Sequence, residues 1–562
     1  MGPILRRLIL IGVSICAAAR AAAAPVITVS IADNAVLGDV VSVRAQVTSE
    51  AGIAKVEFSV DDQIRMTQAK PPFEYKWDTI DEMEGRHTVI VNAYDGAGQA
   101  STKRIKVEVD NDLTKGVKPH AEKAMARFRA EDFDGAMLEA RKAYRIDNAS
   151  LDAIRALAAA TGGKGDINRA LNLLEEPQRI NNQVVGDPKS FPLADRASLE
   201  LRALFRTKRA AKQTTPAALL ADMATVYDFW RKLADMQLAE IPAARGAGAT
   251  TPVSLILEGD ALFNLGDVQA ALTSYGKVPK SGREGVIAQN RQAAALLSTR
   301  RLREAEQILS AMVTVGSASD QTHALLAALY LRQYRFERAR AEADGPAKRG
   351  SLTGKLVSAY AELAFLNFSR AFDLLKQVDA KGPTAESRYL AACYFLDVRD
   401  MARATETLFD SLRLAPGNLD IYVLRALQLA ILVPKDGVNQ ALPLLDYVLQ
   451  KDPINAGAMA GKAALLYQLK RPKPAEPLVR ELMREDRYAA DVWIVSAMMY
   501  AAGTEQVKAT ESLAEARKLS PDRFPDTLVP VMPEFLPRMA RYRRPPLITP
   551  AILDAEDPIR QP

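Results

Sequence analysis

Residues 493–521 read WIVSAMMYAAGTEQVKATESLAEARKLSP, and this stretch contains two short helical patterns separated by a glycine. The first pattern is centred on Ala497 and ends at Gly503, whereas the second begins near Ala509 and ends before Pro521. Apolar residues spaced three and four apart form one face of a helix, glycine permits a tight turn, and proline ends a helix. The stretch therefore predicts a pair of short antiparallel helices.

The same pattern recurs along the chain with a spacing close to 34 residues. Ten alanines that open the second helical pattern are separated by 34, 101, 34, 34, 32, 33, 37, 34 and 34 residues, and 101 is close to three times 34. They are Ala136, Ala170, Ala271, Ala305, Ala339, Ala371, Ala404, Ala441, Ala475 and Ala509. Because paired helices approach closely only where side chains are small, a small residue is expected twelve positions earlier, in the first helix. Such residues are Ala124, Ala158, Gly259, Ala293, Ala327, Ala359, Ala392, Ala463 and Ala497, with Ala426 preceding Ala441 if three residues are inserted.

This pattern resembles the tetratricopeptide repeat (TPR), whose period is also 34 residues. The resemblance covers residues 115–182 and 252–522, and residues 183–251 are expected to hold degenerate helical repeats or a linker. It implies an all-α superhelical solenoid, in which stacked units bury a continuous core that no unit can bury alone. In the family, the first helices line a concave groove that binds an extended peptide or a partner helix.

The register of the resemblance implies which side chains face this groove. They are Asn264, Asn290, Arg332, Tyr360, Tyr389, Tyr467 and Gln468. The paired Lys/Asn pattern with which chaperone-binding members of the family hold a terminal carboxylate is absent. The resemblance therefore implies proteins or extended peptides as partners, but not the tails of cytosolic chaperones.

Residues 25–112 have a different periodicity, because apolar residues alternate with polar ones as in half-buried strands. The alternating runs are 41–47, 56–60, 73–77, 89–93 and 105–109. Short strands separated by turn residues predict a small all-β sandwich of about seven strands. The sequences AKVEFSVD (54–61), PPFEYKWD (71–78) and AYDGAGQ (93–99) resemble bacterial Ig-like domains, which serve mostly as spacers or adhesion modules.

Two features of this domain have more than one interpretation. Trp77 is expected in the core because it alternates with Phe73 and Tyr75, although an exposed Trp77 would stack on a sugar ring. The run Asp110-Asn111-Asp112 is expected to be a solvated linker, although clustered oxygen ligands also suit Ca²⁺.

Residues 1–24 predict a secretory signal peptide. Arg6 and Arg7 precede an apolar stretch, Leu8–Ala19, which is followed by small residues suited to signal peptidase. The stretch is too short to cross about 30 Å of hydrocarbon, and no transmembrane segment is expected after it is removed. The chain is therefore expected in the periplasm, at the cell surface or outside the cell.

Composition excludes several classes of protein. The chain has 74 basic and 68 acidic residues, a balance that does not indicate a nucleic-acid partner. Cys393 is the only cysteine outside the leader, so no disulfide or cysteine-based metal site is predicted. The three histidines, His87, His120 and His323, are far apart and have no metal ligands at helical spacing. No catalytic or cofactor motif is found, and we predict no enzyme and no cofactor.

Residues 523–562 are expected to form a proline-rich tail. Ten prolines between residues 521 and 562 predict extended, polyproline-like chain rather than helix. A basic cluster at Arg538, Arg541, Arg543 and Arg544 is either solvated or attracted to an anionic glycan or membrane surface.

The sequence as a whole favours an exported scaffold that binds partner proteins in the groove of the solenoid. The first alternative is a surface adhesion or carbohydrate-binding protein, in which the Ig-like domain contacts an envelope glycan and the solenoid is a stalk. The second alternative is an enzyme of an unrecognised type.

Overall fold

The computed structural model describes residues 23–176, 179–180, 183–184, 194–213, 215–244, 251–299, 301–333, 335–365, 367–432, 436–485, 490–519 and 548–559. The chain divides into two compact units, residues 1–189 and residues 190–562. Most of the predicted leader and the basic cluster at 538–544 lie outside the described residues. Among the described helices, none is both long and apolar enough to cross a membrane.

The first unit begins with a β-sandwich. Its strands are β1 (Val26–Val29), β2 (Ala35–Leu37), β3 (Val40–Thr48), β4 (Ile53–Val60), β5 (Gln63–Gln68), β6 (Phe73–Asp78), β7 (Gly85–Asp95) and β8 (Ala100–Val109). One sheet has the order β1-β3-β6 and the other β2-β8-β7-β4-β5. All neighbouring strands are antiparallel except β2 and β8. The alternating residues of the five predicted runs form the core, with Val43, Phe58, Trp77, Val89 and Val91 fully buried.

The strands predicted at the five alternating runs are present, and three further strands bring the sandwich to eight, where about seven were predicted. Of these, β5 is almost entirely exposed at the edge of the larger sheet, and Ile64 is 62% exposed. An edge strand without a buried face has no alternation for sequence analysis to detect. The other two are only four and three residues long.

The junction after the sandwich is packed, which corrects the prediction of a solvated linker. Asn111 is 1% exposed, and its side-chain oxygen accepts hydrogen bonds from the backbone of Asp39 and from the Thr79 hydroxyl. Asp112 follows in a left-handed conformation and leads into the first helix. The run therefore joins two packed structures and is held by protein contacts.

Four helices follow in the first unit. They are α1 (Val117–Arg129), α2 (Phe133–Ile146), α3 (Leu151–Gly163) and α4 (Ile167–Glu175), with a small antiparallel pair β9 (Arg179–Ile180) and β10 (Gln183–Val184) beyond them. Three basic residues of α2 hold the sandwich. Arg141 contacts Asp78 at 2.5 Å, Lys142 contacts Asp39 at 2.5 Å, and Arg145 donates to the backbone oxygens of residues 81 and 82. The β-sandwich and the first helices therefore form one packed body.

The second unit contains helices that pair in chain order. They are α5 (Arg196–Ala211), α6 (Pro216–Ala244), α7 (Pro252–Asn264), α8 (Val268–Gly276), α9 (Gly282–Ser298), α10 (Leu302–Thr314), α11 (Asp320–Arg332), α12 (Phe336–Arg349), α13 (Leu352–Ala364), α14 (Phe368–Asp379), α15 (Ala385–Asp397), α16 (Met401–Leu414), α17 (Leu419–Leu432), α18 (Gly437–Lys451), α19 (Ala456–Gln468), α20 (Pro472–Glu485), α21 (Ala490–Ala502), α22 (Gln506–Leu519) and α23 (Pro550–Glu556). Each helix from α7 to α22 packs against the next along the chain, which is the arrangement of a solenoid.

The 34-residue register is confirmed by the positions of its small residues. Nine of the ten key alanines are the fourth residue of a second helix, and all ten are at most 5% exposed. The small residue twelve positions earlier is the eighth residue of its first helix, except in the longer α9. At Gly259 an added Cβ would lie 2.3 Å from the Tyr275 ring, which shows how closely these helices pack.

We expect Ala327→Leu to lower the free energy of unfolding of the second unit by about 1–3 kcal/mol. Ala327 is 0% exposed in α11, so three added carbons have no space and must displace packed neighbours. The matched control is Ala311→Leu on the exposed face of α10, which should change stability by no more than about 0.5 kcal/mol. Urea unfolding followed by circular dichroism measures both, and equal effects would contradict the close packing at Ala327.

The pair α5–α6 departs from the expected degenerate repeats. The two predicted helical patterns are present, but α6 has 29 residues, about twice the length of the other helices. In addition to α7, this pair packs against α16 and α18, which lie far along the chain. The Trp230 indole donates a 2.8 Å hydrogen bond to the backbone oxygen of Arg413. The pair is therefore a bridge between distant repeats.

The prediction of extended chain for the whole C-terminal tail is wrong for residues 548–559. This stretch contains the helix α23, with Pro550 at its first turn, where the missing N–H of proline is tolerated. Its apolar side chains Ile548, Ile552, Leu553 and Ile559 are at most 6% exposed. We call residues 548–559 the C-terminal segment, and it packs on the helices of the same unit.

Candidate functional site

The candidate site is the surface on which the C-terminal segment lies. This surface is formed by the first helices α9, α11, α13 and α15 of four successive pairs, and we call it the repeat groove. The segment contacts each of the four through side-chain hydrogen bonds or ion pairs. The described structure thus has a polypeptide segment that lies across the first helices of four successive pairs.

Three successive first helices use the same position to hold the segment. Gln321, Thr353 and Glu386 are each the second residue of their helices and lie six positions before the buried small residue. Gln321 donates a 2.8 Å hydrogen bond to the backbone oxygen of Leu553. Because these side chains are at most 4% exposed, the segment covers a polar row that the repeat presents at regular spacing.

The two other members of this row hold the polar groups of the segment. The hydroxyl and the backbone N–H of Thr353 donate to the Glu556 carboxylate at 2.7 and 3.1 Å. The Glu386 carboxylate accepts from the hydroxyl and the backbone N–H of Thr549 at 2.6 and 2.9 Å. Thr549 is the N-cap of α23, so Glu386 fixes the start of the short helix.

Arginines of α9 hold the far end of the segment. Arg283 donates to the Asp557 carboxylate at 2.5 Å and to the backbone oxygen of Pro558 at 2.6 Å. Arg291 has a fully buried side chain that lies 3.2 Å from an oxygen of Asp260 and 3.6 Å from an oxygen of Asp554. One buried cation therefore connects a carboxylate of the solenoid with a carboxylate of the segment.

Burial changes the acidity of two carboxyl groups at this site. It raises the pKa of Glu386 above its usual value, and the hydrogen bonds from Thr549 oppose that shift. Burial also raises the pKa of Asp260 to about 6, although Arg291 and the Tyr275 hydroxyl favour its ionised form. Both shifts follow from the loss of hydration, because a low-dielectric environment disfavours the charged carboxylate.

Two parts of the chain match known family models. Residues 25–91 match the bacterial Ig domain, and residues 438–498 match the tetratricopeptide repeat. This chain joins a bacterial Ig domain to tetratricopeptide repeats. The matched repeat lies within the same unit and the same register as the repeats that form the groove. The prediction of an all-β Ig-like sandwich followed by a TPR-type solenoid is thus confirmed.

Several solved structures are similar to parts of the chain. The fibronectin(III)-like modules of Clostridium thermocellum CbhA are 25% identical over 16% of this chain and 47% of that chain, with a TM-score of 0.14. The match therefore spans about half of that first structure. The APC/C hetero-tetramer Cut9–Hcn1 is 15% identical over 76% of this chain and 90% of that chain, with a TM-score of 0.40. YrrB, described as a TPR protein with an unusual peptide-binding site, is 19% identical over 34% of this chain and 93% of that chain, with a TM-score of 0.21. No curated protein matches the chain.

The seven residues that the TPR register predicted for the groove have different environments. Asn290 is 1% exposed and hydrogen-bonds Ser319 and Thr322, so it ties α9 to the start of α11. Tyr360 and Tyr389 are buried in the apolar core of the second unit, to which Ile552 and Leu553 of the C-terminal segment also belong.

The other four predicted residues lie at or near the ends of their helices. Asn264 and Gln468 are exposed as the last residues of α7 and α19, and Arg332 is half-buried at the end of α11. Tyr467 is half-buried, and its hydroxyl has no hydrogen-bond partner among the described residues. For all seven residues, contact with a partner stays a prediction.

In the Ig domain, Trp77 does not form the sugar-binding site that the sequence left open as an alternative. Trp77 is 0% exposed, its ring lies edge-on to His87, and its N–H donates to Glu82 at 3.3 Å. No face of Trp77 is therefore available to a sugar. An open hollow over β3 and β6 is lined by residues including Val47, Pro71 and Phe73. In the part of the chain that is described, no three His, Cys, Asp or Glu side chains are grouped to hold a metal ion.

Proposed function

We propose that this chain is an exported, non-catalytic scaffold that binds segments of partner proteins in its repeat groove. One observation carries the proposal: residues 548–559 lie along four successive first helices and are held by regularly spaced polar side chains. A surface that accommodates one short helix and hydrogen-bonds the residue before its first turn has the shape and the hydrogen-bonding groups to accommodate another. Binding in this way resembles the docking of a peptide helix in a groove.

The chemistry of the groove supports binding rather than catalysis. Gln321, Arg283 and Glu386 contact backbone atoms of the segment, so part of the recognition is independent of its side chains. The buried apolar side chains of the segment each contribute roughly 1.5–3 kcal/mol before the entropy of ordering is subtracted. The matched TPR and Ig domain families also consist mostly of binding and structural modules.

Export is supported by two features of the N-terminal region. The sequence of residues 1–24 has the charge and apolar pattern of a signal peptide, and residues 25–91 match a bacterial Ig domain. We propose the periplasm or the cell surface as the location and envelope proteins as the partners. The alternative of glycan adhesion through the Ig domain is less well supported, because its candidate residue, Trp77, is buried.

The proposal predicts that partners are lost when the polar row is removed. With residues 25–547 as bait for an envelope extract, so that the C-terminal segment does not compete, the double variant Gln321→Ala/Glu386→Ala should recover specific partners at least tenfold less than the same bait without the substitutions. Loss of a neutral hydrogen bond costs about 1 kcal/mol and loss of one to a charged group about 1.5–3 kcal/mol. Quantitative mass spectrometry of the captured proteins measures the effect.

The matched control removes an ion pair of the same unit outside the groove. Arg301→Ala/Glu304→Ala disrupts an exposed pair near the start of α10 and should leave recovery unchanged. Thermal unfolding by circular dichroism shows whether either variant has lost its fold. Recovery of the same partners by both variants, with the fold intact, would contradict binding through the repeat groove.

A further inference from the structure

We propose that the C-terminal segment is a resident ligand of the repeat groove, which partners displace, and that those partners present a short acidic helix that begins with Ser/Thr-Pro. The inference rests on the proposed function, because it assumes that the groove binds polypeptide segments. To the proposed function it adds the chemical class of the partner. It also identifies the C-terminal segment as the competitor that limits access to the repeat groove. The occupant is residues 548–559, which lie on the groove in the described structure.

The segment has the properties of a bound peptide. Its helix α23 has only seven residues, a length that is not stable in isolated peptides, so its conformation depends on the groove. It is separated from the last repeat helix, α22, by residues 520–547. Its Ala551 and Ala555 face solvent while Ile552 and Leu553 face the groove, which is the division found in an amphipathic helix laid on a surface.

The contacts define what the groove recognises in this segment. Glu386 accepts hydrogen bonds from the backbone N–H and the hydroxyl of Thr549, and only Ser or Thr can offer both donors at this position. Proline suits the next position, which is the first of the helix. Two consecutive apolar residues, Ile552 and Leu553, then join the buried core of the second unit. Acidic residues complete the motif, because Asp554 faces Arg291 and Asp557 contacts Arg283.

Incomplete contacts make the segment displaceable. The second carboxylate oxygen of Glu386 is buried and has no hydrogen-bond partner within the described residues. The Arg291 side chain is paired with Asp260 at 3.2 Å, but it lies 3.6 Å from the Asp554 carboxylate of the segment. A buried carboxylate oxygen without a hydrogen bond is costly. A partner that donates to this oxygen of Glu386 and places a carboxylate closer to Arg291 is therefore expected to bind more tightly than the segment does.

Tethering gives the segment an advantage in concentration. A ligand in the same chain as its binding site has an effective concentration on the order of 1 mM. If the free segment binds with a Kd on the order of 10 μM, tethering weakens the apparent affinity for a competing peptide about 100-fold. Cutting the tether removes this advantage without changing any residue of the groove or of the segment.

The test uses the chain from residue 23 to residue 562 with a specific protease site inserted within residues 520–547. The probe is a fluorescent peptide with the sequence of residues 545–562, and its binding is measured by fluorescence anisotropy before and after cleavage. We expect the cleaved chain, after gel filtration, to bind the probe about 100-fold more tightly than the uncut chain. A Thr549→Val probe should bind at least tenfold more weakly, whereas an Ala555→Ser probe should bind unchanged.

Three results would overturn the inference. Equal binding by cut and uncut chains would mean that the segment does not occupy the groove in solution. Retention of the cleaved fragment through gel filtration, with the probe excluded, would make the segment a permanent part of the fold. An uncut dimer that becomes a monomer on cleavage would place the segment in the groove of a second copy.

The inference and the proposed function fail in different experiments. Equal probe binding by the cut and uncut chains overturns self-occupation but leaves a groove that binds peptides. If the probe behaves as expected but partners survive Gln321→Ala/Glu386→Ala in the capture experiment, the groove is occupied by its own segment and partners bind elsewhere.

Discussion

Arg291→Ala is expected to lower the free energy of unfolding of the second unit by about 3–5 kcal/mol. Arg291 has a fully buried side chain and lies 3.2 Å from Asp260, which is itself only 7% exposed. Removing the cation leaves a buried carboxylate without an opposite charge, and the loss of one partner of a buried ion pair typically costs this much. Chemical unfolding followed by circular dichroism, with residues 23–562 of both chains, measures the difference.

The pH dependence of this loss identifies its cause. In the variant, Asp260 is still buried and has lost the cation, so its folded pKa rises further above the unfolded value of about 3.9. A carboxyl with a raised folded pKa binds a proton more tightly in the native state, so stability falls as pH rises from about 4 through that folded pKa. We therefore expect the loss to be larger at pH 8 than at pH 5.

A paired substitution provides the control for Arg291. Arg291→Met/Asp260→Asn removes both charges, keeps a hydrogen-bond acceptor for the Tyr275 hydroxyl, and should recover most of the lost stability. Two results together would show that lost packing rather than charge is responsible. The free energy of unfolding would fall by the same amount at both pH values for Arg291→Ala, and the paired variant would not recover it.

Trp77→Ala is expected to lower the free energy of unfolding of the β-sandwich by about 3–5 kcal/mol. The side chain is fully buried between the sheets, and truncating a large buried aromatic residue removes its transfer free energy and leaves a cavity. Limited proteolysis within residues 25–112 and thermal unfolding measure the change. Because the sandwich is held by Arg141, Lys142 and Arg145 of α2, cleavage within α1–α2 should also increase.

The matched control for Trp77 is Val36→Ala. Val36 is 65% exposed on β2, so its truncation should change stability by no more than about 0.5 kcal/mol. Glycan retention by the chain should decrease only in proportion to the loss of folded domain. A Trp77→Ala variant that is fully stable but no longer retains glycan would instead restore the carbohydrate-binding alternative.

The sequence predicts the repeats well because steric requirements recur in every unit. Ala136, Ala305 and Ala441 can be found without a structure, since each lies where two helices approach and a larger side chain does not fit. The same 34-residue register also makes the polar row detectable in the sequence. Gln321 and Glu386 lie six positions before Ala327 and Ala392, so comparing polar residues at that one position identifies them.

The remaining features depend on contacts between distant parts of the chain. Nothing local in Ile548 or Leu553 indicates that the groove will cover them, and the prolines around them favour extended chain when considered alone. Tertiary packing stabilises the short helix of the segment in spite of those prolines. Similarly, periodicity predicts the helices α5 and α6, but no periodicity predicts that they pack on α16 and α18.

The bridge formed by α6 changes the order in which the solenoid assembles. In an ordinary repeat array each unit contacts only its neighbours, so folding nucleates anywhere and spreads along the chain. Here the hydrogen bond between Trp230 and residue 413 spans 183 positions, and closing so long a loop is entropically unfavourable. Contacts of such high sequence separation slow folding, so the bridge should form late and then couple the repeats it spans into one cooperative transition.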